Sequence, residues 1–424
     1  MKVYINPDRR QWQELCARPS ADNSAIRERV EEILRRVREG GDAAIAAIEA
    51  EIASAAAPSA ATGARQEVGG TPSIPEALRE AIAAAAANIR AFHAAQLPKT
   101  IEVETTPGVR CIQKPVAIRK VGLYIPGGTA PLFSTVLMLA IPAKLAGCEQ
   151  VILCTPAGPD GQINPVVRYA AEYCGVDRIF PIGGAQAIAA MAYGTETVPK
   201  VDKIFGPGNR YVTTAKQILG GTSVAIDMPA GPSEVMVIAD NGTDADCAAS
   251  DLLSQAEHGR DSQVMLVCTS EAKAAEIQAR VQARLEQLPR RDIASSALNN
   301  SRCVIFERQE DIIDFADTYA PEHLIVSTSD PWAISSRISA AGSIFVGPYT
   351  PESAGDYASG TNHTLPTSAW ARSYSGVNID SFMRKMTIQE ISREGLERLG
   401  GTIVTMAEAE GLQAHAQAVK ARLK

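Results

Sequence analysis

The stretch VGLYI at residues 121–125 begins a regular alternation of short apolar runs and helical patterns. A helical pattern over 132–146 and a second apolar run over 151–155 follow it, and the alternation continues to residue 226. The same alternation starts again at residue 235 and continues to residue 346. Strands that alternate with helices in this way are typical of a parallel, doubly wound sheet. The sequence therefore predicts an α/β fold with two tandem Rossmann-like parallel-sheet domains, over 121–232 and 233–378.

Different patterns flank these two units. Residues 1–120 are predicted to be an N-terminal helical segment, broken at Gly40-Gly41, with a hairpin over 101–118. This segment is expected to pack on the second α/β unit. Residues 55–73, rich in Ala, Ser, Gly and Pro, are expected to be a flexible surface loop. Residues 379–424 are predicted to be a small C-terminal tail with a strand over 381–384 and helices over 387–399 and 404–421.

Composition excludes several classes of protein. The chain has 424 residues, 46% of them hydrophobic, and a net charge of −7, which gives no electrostatic footprint for nucleic acid. No run reaches the roughly 18 apolar residues that a membrane helix needs. The first twenty residues lack the apolar core of a signal peptide. We expect a cytoplasmic protein with no nucleic-acid or membrane partner.

The eight cysteines are scattered, without a Cys-x-x-Cys pair. This spacing argues against a thiolate zinc site and against a disulfide framework. Cys154, at the end of an apolar run, could be a nucleophile or a small buried hydrophobe. We favour the buried residue, because nothing near it in the sequence would lower its pKa.

A candidate metal or substrate site begins at SQAEHG, residues 254–259. Gln255 and His258 are three residues apart and share one face at a predicted helix end. Glu257 lies about 100° from that direction and is expected to face elsewhere. Polar residues also end helices without any ligand, so the pair alone is weak evidence. With Asp356 and His415, these two residues would form a mixed N/O set that zinc accepts.

Glu322-His323 stands where a predicted helix gives way to a strand. A histidine is the natural general base at neutral pH, and a neighbouring glutamate could activate water. The alternative is a turn acid that caps a backbone amide beside a half-buried histidine. His93, on an alanine-rich helix without a polar neighbour, is better explained as a structural residue.

Glycine-rich turns follow several predicted strands of the first unit, where ligands of open α/β sheets gather. Such turns let backbone N–H groups approach phosphate or ribose. None matches G-x-G-x-x-G followed by a ribose-binding acid, so a dinucleotide would bind without the usual fingerprint. The 30 residues from 347 to 376 have no strong pattern, which for a loop of this length suggests a function.

Six long motifs together resemble the histidinol dehydrogenase family, in that family's order and over nearly the whole chain. They are VGLYIPGG (121–128), FGPGN (205–209), DMPAGPSE (227–234), SQAEHG (254–259), APEHL (320–324) and EGLQAH (410–415). The resemblance implies oxidation of L-histidinol to L-histidine through L-histidinal with two NAD⁺, the final steps of histidine biosynthesis. It also implies one zinc ion per subunit and a homodimer with shared active sites.

The resemblance also implies residue roles. The zinc ligands would be Gln255, His258, Asp356 and His415. His323 would be the general base, Glu322 would activate water, and NAD would contact Tyr124, Gln186 and Asn209. The substrate would contact Ser233, His323, His363, Glu410 and the four zinc ligands.

Three other functions stay open at this stage. The first is a dehydrogenase of the same fold that acts on another polar alcohol, because a fold and a zinc set do not determine the substrate. The second is a zinc hydrolase in which Glu322 acts on a metal-bound water. The third is a non-catalytic metal-binding protein, which would leave Glu322-His323 and the glycine turns without a purpose.

Overall fold

The computed structural model describes residues 1–18, 24–55, 72–127, 131–158, 160–229 and 231–424, with the side chains of 53–55 left out. Most of the predicted loop over 55–73 lies outside these residues. So do Gly128 and Ala230, which belong to two of the motifs.

The N-terminal part begins with a strand and continues with helices and a hairpin. Its elements are β1 (Lys2–Ile5), α1 (Trp12–Leu15), α2 (Ser24–Ala55), α3 (Glu76–Ala94), β2 (Ile101–Thr106) and β3 (Val109–Ala117). The predicted break in the first helix is confirmed, because Gly41 has φ +50° inside α2. The predicted hairpin is confirmed as β2 and β3.

The first α/β unit is a five-stranded parallel sheet with strand order β6-β5-β4-β7-β8. Its strands are β4 (Lys120–Tyr124), β5 (Gln150–Cys154), β6 (Arg178–Phe180), β7 (Lys203–Phe205) and β8 (Ala225–Ile226). Its helices are α4 (Phe133–Ala146), α5 (Pro165–Tyr173), α6 (Gly184–Tyr193) and α7 (Arg210–Gly220). Residues 121–124 of β4 are all buried, because apolar clusters cover both faces of the sheet.

The second unit is a six-stranded parallel sheet with strand order β1-β11-β10-β9-β12-β13. Its later strands are β9 (Glu234–Ala239), β10 (Gln263–Cys268), β11 (Arg302–Ile305), β12 (His323–Ser327) and β13 (Ser343–Val346). Its helices are α8 (Ala245–Ala256), α9 (Glu271–Leu285), α10 (Arg291–Asn299), α11 (Gln309–Tyr319), α12 (Pro331–Ser335) and α13 (Glu352–Tyr357). The predicted fold class, with two parallel-sheet α/β units, is confirmed.

The N-terminal segment packs differently from the prediction. Helix α2 packs against α6 and α7, and α3 packs against α4, so both long helices cover the first unit. The prediction that the segment packs on the second unit is wrong for these helices. It holds for β1, an unpredicted edge strand beside β11, and for Trp12 of α1, whose ring contacts Phe306 and Phe315.

The C-terminal tail is also corrected. It contains β14 (Met383–Ile391), α14 (Arg393–Ala409) and α15 (Gln413–Lys420). The helix predicted over 387–399 is wrong in its first part, because β14 pairs with β3 along nine residues in a three-stranded antiparallel sheet, β14-β3-β2. Gly411, with φ +73°, separates the two helices within the predicted run over 404–421.

A 3-10 turn, Ile379–Phe382, attaches this tail to the first unit. The ring of Phe382 stacks on that of Phe205 at a centroid distance of 4.0 Å, and both are fully buried. The carbonyl of Phe382 accepts a hydrogen bond from the Ile118 amide at 2.9 Å. In the described part of the chain, no helix is long and apolar enough to cross a membrane.

We predict that Phe382→Ala lowers the free energy of unfolding by about 3–5 kcal/mol, because it leaves a cavity beside Phe205. Urea denaturation followed by circular dichroism measures this. The control is Tyr349→Ala, since Tyr349 is 95% exposed and its loss should change stability by less than about 0.5 kcal/mol. Equal effects of the two variants would contradict the proposed attachment of the tail.

Candidate active site

A cavity of about 560 Å³ lies where the two parallel sheets face each other. Gly206 and Asp227 reach it from the carboxyl ends of β7 and β8. Ser233, His258 and Glu322 reach it from segments that precede β9, β10 and β12. The expectation that ligands gather at carboxyl ends of strands therefore describes only half of the site, because the second sheet contributes its amino edge.

Glu322 and His323 both line this cavity. Ala320, with φ +49°, ends α11 in an irregular turn, and this turn lets adjacent side chains reach one space. Glu322 Oε2 accepts a hydrogen bond from the Glu234 amide at 2.9 Å. His323 Nδ1 lies 3.3 Å from the Glu234 carbonyl oxygen, which can only accept, so the imidazole proton belongs on Nδ1. Nε2 then keeps its lone pair and has no hydrogen-bond partner among the described residues.

Burial determines the charge of these groups. It lowers the pKa of His323 to about 3 and that of His363 to about 4. Burial raises the pKa of Asp356 to about 7 and that of Glu322 well above its ordinary value. The imidazoles are thus neutral near pH 7, the form in which they act as bases and ligands.

Glu352 joins the site although the sequence did not point to it. His323 Nδ1 lies 3.6 Å from Glu352 Oε1, and His323 Nε2 lies 3.7 Å from Asp356 Oδ1. One ligand atom of each of these three residues lies within 4.8 Å of the others, a spacing that suits a metal ion. Glu352 and Asp356 are four residues apart on α13, a spacing that places two side chains on one helix face. The sequence analysis predicted no helix in this segment, so the spacing did not point to Glu352.

The end of α8 also contributes to this site, although Gln255 is not among the residues that line the cavity. Gln255 is fully buried, and with its amide oriented to suit both neighbours its nitrogen donates to Glu352 while its oxygen accepts from the Glu234 amide at 3.0 Å. His258 lines the cavity, and so does Glu257. The expectation that Glu257 faces elsewhere is wrong because α8 ends at Ala256 and the helical projection no longer applies.

Glu410 and His415 are two predicted site residues that the chain does not bring to this cavity. Both are exposed, and neither is among the residues that line it. They lie at the end of α14 and in α15, two helices that pack on each other. Ser233 and His363 do line the cavity, and His363 Nε2 lies 3.1 Å from Thr135 Oγ1, a cavity residue that sequence reasoning missed.

The predicted nucleotide-contact residues stand at the carboxyl edge of the first sheet. The Tyr124 hydroxyl accepts a hydrogen bond from the Gly184 amide at 3.0 Å, and Gln186 Nε2 donates to Glu49 at 2.7 Å. Asn209 caps α7. None of the three predicted residues is among those that line the cavity, although the neighbouring turn residues Gly127, Gly206 and Gly208 are.

A buried ion pair stabilises one of these turns. Lys216 Nζ lies 2.5 Å from Asp227 Oδ1 and donates to the Gly206 carbonyl at 2.8 Å. Asp227 Oδ2 accepts from the Gly206 amide at 2.8 Å. The amide and the carbonyl of Gly206 are therefore both hydrogen-bonded to this ion pair, which stabilises the turn beside the cavity with Gly206 at φ +121°.

Two residues set aside as structural do not line the cavity. Cys154 is fully buried, and burial raises the pKa of its thiol above the ordinary value, which opposes thiolate formation. His93 is fully buried and its Nδ1 lies 2.8 Å from the Ile89 carbonyl oxygen.

Comparison with known proteins identifies the family. A sequence model described as histidinol dehydrogenase matches residues 16–423. The histidinol dehydrogenase of Bacteroides fragilis strain YCH46 is 52% identical over 424 residues, covering 100% of this chain and 99% of that protein. That of Xylella fastidiosa strain Temecula1 is 51% identical over 399 residues, covering 94% and 92%. The crystal structure of histidinol dehydrogenase from Elizabethkingia anophelis superposes with a TM-score of 0.94 at 46% identity, covering 100% of this chain and 98% of that one. The chain therefore belongs to the histidinol dehydrogenase family of oxidoreductases.

Proposed function

We propose that this enzyme oxidises L-histidinol to L-histidine through L-histidinal, with one zinc ion per subunit and two molecules of NAD⁺ per substrate. The observation that carries the proposal is the placement of Glu322 and His323 in one cavity, with a free Nε2 on a neutral imidazole. One residue can then accept the alcohol proton while the other serves the hydration of the aldehyde.

The residues present suit a zinc ion. Glu352 Oε2 is buried without a hydrogen-bond partner among the described residues, and burial raises the pKa of both Glu352 and Asp356. A divalent cation would relieve this accumulation of buried acids. Gln255, His258 and Asp356 would hold it, together with His415 of a second copy. When bound, zinc would orient the substrate through its amine and imidazole.

NAD⁺, when bound, would accept the hydride in each oxidation. Tyr124, Gln186 and Asn209 stand beside the glycine turns at the carboxyl edge of the first sheet, where backbone amides can approach a pyrophosphate. The turn at Gly206 faces both this edge and the cavity. We propose that these residues bind the cofactor and direct its ring toward the substrate.

In the first oxidation His323 Nε2 accepts the alcohol proton as the carbinol C–H bond breaks. In the second, Glu322 accepts a proton from a water molecule whose oxygen adds to the aldehyde carbon, and the protonated His323 returns its proton to the carbonyl oxygen, which gives the hydrate and a neutral imidazole. Burial raises the pKa of Glu322, so its carboxylate, once ionised, is a stronger base than that of an exposed glutamate. His323 then accepts a hydroxyl proton of the hydrate as the second C–H bond breaks, and the product is the acid. Ser233 and His363 line the cavity and would orient the substrate.

The yield of NADH per histidinol tests the overall reaction. We expect two NADH for each histidinol consumed, with histidine as the product by chromatography. Other polar alcohols at equal concentration should give little NADH. A yield of one, or better turnover of another alcohol, would refute the proposal, and hydrolysis without NADH would support a zinc hydrolase.

We predict that activity requires zinc held by N/O ligands. Chelation should abolish NADH formation and Zn²⁺ should restore it, and Asp356→Ala should bind less zinc by mass spectrometry. The control is Cys247→Ala, which removes an exposed thiol and should retain both zinc and activity. Full activity in a verified metal-free preparation would contradict this prediction.

We predict a division of labour between Glu322 and His323. Glu322→Gln should impair histidinal oxidation more than histidinal reduction, because only the oxidation needs activated water. His323→Ala should impair both reactions by about 10²–10⁴-fold, the usual contribution of a general base. Stopped-flow measurements with histidinal in each direction give the two rates. Equal losses in both directions for Glu322→Gln would mean that the split is wrong.

We propose that each active site is shared between two subunits. Glu410 and His415 are exposed in the single chain, and both faces of the three-stranded sheet beside the tail carry exposed apolar side chains. Ile101 and Val103 lie on one face, Met386 and Ile388 on the other. Such surfaces mark interaction sites. Exchange of this tail between two copies would cover the apolar faces and bring His415 to the partner's cavity.

We predict that two inactive variants complement each other. His258→Ala loses a ligand in the core, and His415→Ala loses one in the tail. When they are co-expressed, about half of the dimers are hybrids and one of the two sites in each hybrid is complete, so roughly a quarter of wild-type activity should return. As a matched control, His258→Ala with Asp356→Ala, both core variants, should restore nothing. If hybrid dimers form and remain inactive, the tail does not cross.

A further inference from the structure

We infer that the buried ion pair between Arg18 and Glu234 is a positioning device for the acid–base pair. The two residues would not touch substrate. They would hold the main chain at residue 234, and this main chain holds Glu322 and His323. The inference rests on the roles proposed above for those two residues.

Both catalytic candidates are attached to the same short piece of backbone. The Glu234 amide donates to Glu322 Oε2 at 2.9 Å, and the Glu234 carbonyl faces His323 Nδ1 at 3.3 Å. The first contact orients the Glu322 carboxylate toward the cavity. The second keeps the proton on Nδ1 and the lone pair on Nε2. A small displacement of residue 234 would therefore misplace both groups together.

The Glu234 side chain is anchored from outside its own sheet. Its carboxylate receives two bonds from Arg18, one from Nε at 3.2 Å and one from Nη2 at 2.5 Å, and it also accepts from the Ser368 amide. Arg18 itself lies with its guanidinium carbon 3.7 Å from the centre of the Tyr319 ring. It donates to the carbonyls of Tyr319 at 2.7 Å and Cys16 at 3.0 Å. Three parts of the chain thus meet around the Glu234 carboxylate: the N-terminal segment with Arg18, the end of α11 with Tyr319, and the stretch over 347–376 with Ser368.

The charge of Arg18 matters because Glu234 is only 1% exposed. A buried carboxylate that loses its cation must take up a proton or move toward water, and either change breaks the set of bonds around it. Glu234 begins β9, and the neighbouring strand β12 begins at His323, so the backbone beside the catalytic residues would absorb the movement. The pair therefore links a distant cation to the geometry of the reacting groups.

Four variants test this inference in the full enzyme. Arg18→Ala and Glu234→Gln should each lower kcat in both half-reactions by about ten- to a hundredfold, the effect of a small misplacement of catalytic groups. KM for histidinol and the zinc content should change by a smaller factor than kcat, since Gln255, a proposed zinc ligand bonded to the Glu234 amide, is also held by Glu352. The double variant should lose no more than the worse single variant, because both break the same contact. Arg9→Ala is the control: Arg9 is a surface arginine of the same segment, paired with Asp311 and Asp314, and its loss should leave kcat unchanged.

Chemical rescue separates positioning from general stability. Arg18 borders an open cleft with Cys16, Ser368 and Arg372, so a small cation can reach the space that Arg18→Ala leaves. Millimolar guanidinium should raise kcat of Arg18→Ala severalfold and leave Arg9→Ala unaffected. Arg18→Lys, which keeps the charge but loses the two-pronged contact, should fall between wild type and Arg18→Ala. If Arg18→Ala does not fold, the loss of kcat in Arg18→Lys tests the positioning role in its place.

Several outcomes would overturn the inference. They are a wild-type kcat in folded Arg18→Ala or Arg18→Lys, a loss that appears only in KM or zinc content, and additive losses in the double variant. Glu322→Gln and His323→Ala are measured alongside. If those two keep their activity, the proposed catalytic roles fail. If they lose activity and the Arg18 variants do not, only the positioning role fails.

Discussion

The burial of acids and imidazoles between two sheets is the constraint on which the site depends. Its buried members are Glu234, Gln255, Glu322, His323 and Glu352. Isolated carboxylates at such positions would cost several kcal/mol each. Here each buried carboxylate has a partner. Glu322 accepts from the Glu234 amide, Glu234 pairs with Arg18, and Glu352 accepts from the Gln255 amide. The same burial lowers the pKa of His323 and His363 and keeps both neutral, which is the form of an imidazole that can accept a proton or bind a metal ion.

This burial requires the carboxyl edge of the first sheet to face the amino edge of the second. The carboxyl edge of the first sheet supplies glycine turns, whose backbone amides suit a phosphate-bearing ligand. The amino edge of the second supplies side chains, because Ser233, His258 and His323 precede or begin its strands. Helix α13 then closes the second edge with Asp356. A substrate held between the edges would meet Glu322 and His323, the proposed acid–base pair, on one side and the glycine turns on the other.

The periphery of the molecule serves this arrangement. Helices α2 and α3 cover the first sheet, and the Phe382–Phe205 stack attaches the tail to the same unit. Beyond that point α14 and α15 extend from the three-stranded sheet and leave His415 exposed. The proposed exchange of the tail would account for the position of His415, a residue of the EGLQAH motif, outside the cavity of its own chain.

The sequence by itself determined the two parallel sheets, because short buried strands and covering helices have periods that can be read locally. It also singled out Glu322, His323, His258 and Asp356, which line one cavity. It failed where distant contacts decide the outcome. Residues 387–391 read as helix yet form a strand, since β3 offers nine residues of backbone pairing. Glu257 faces the cavity because its helix has ended, and Glu352 enters the site on a short helix that no pattern announced. Only the tertiary structure placed the carboxyl edge of one sheet against the amino edge of the other, because the packing of whole elements, and no local preference, determines which strand ends meet.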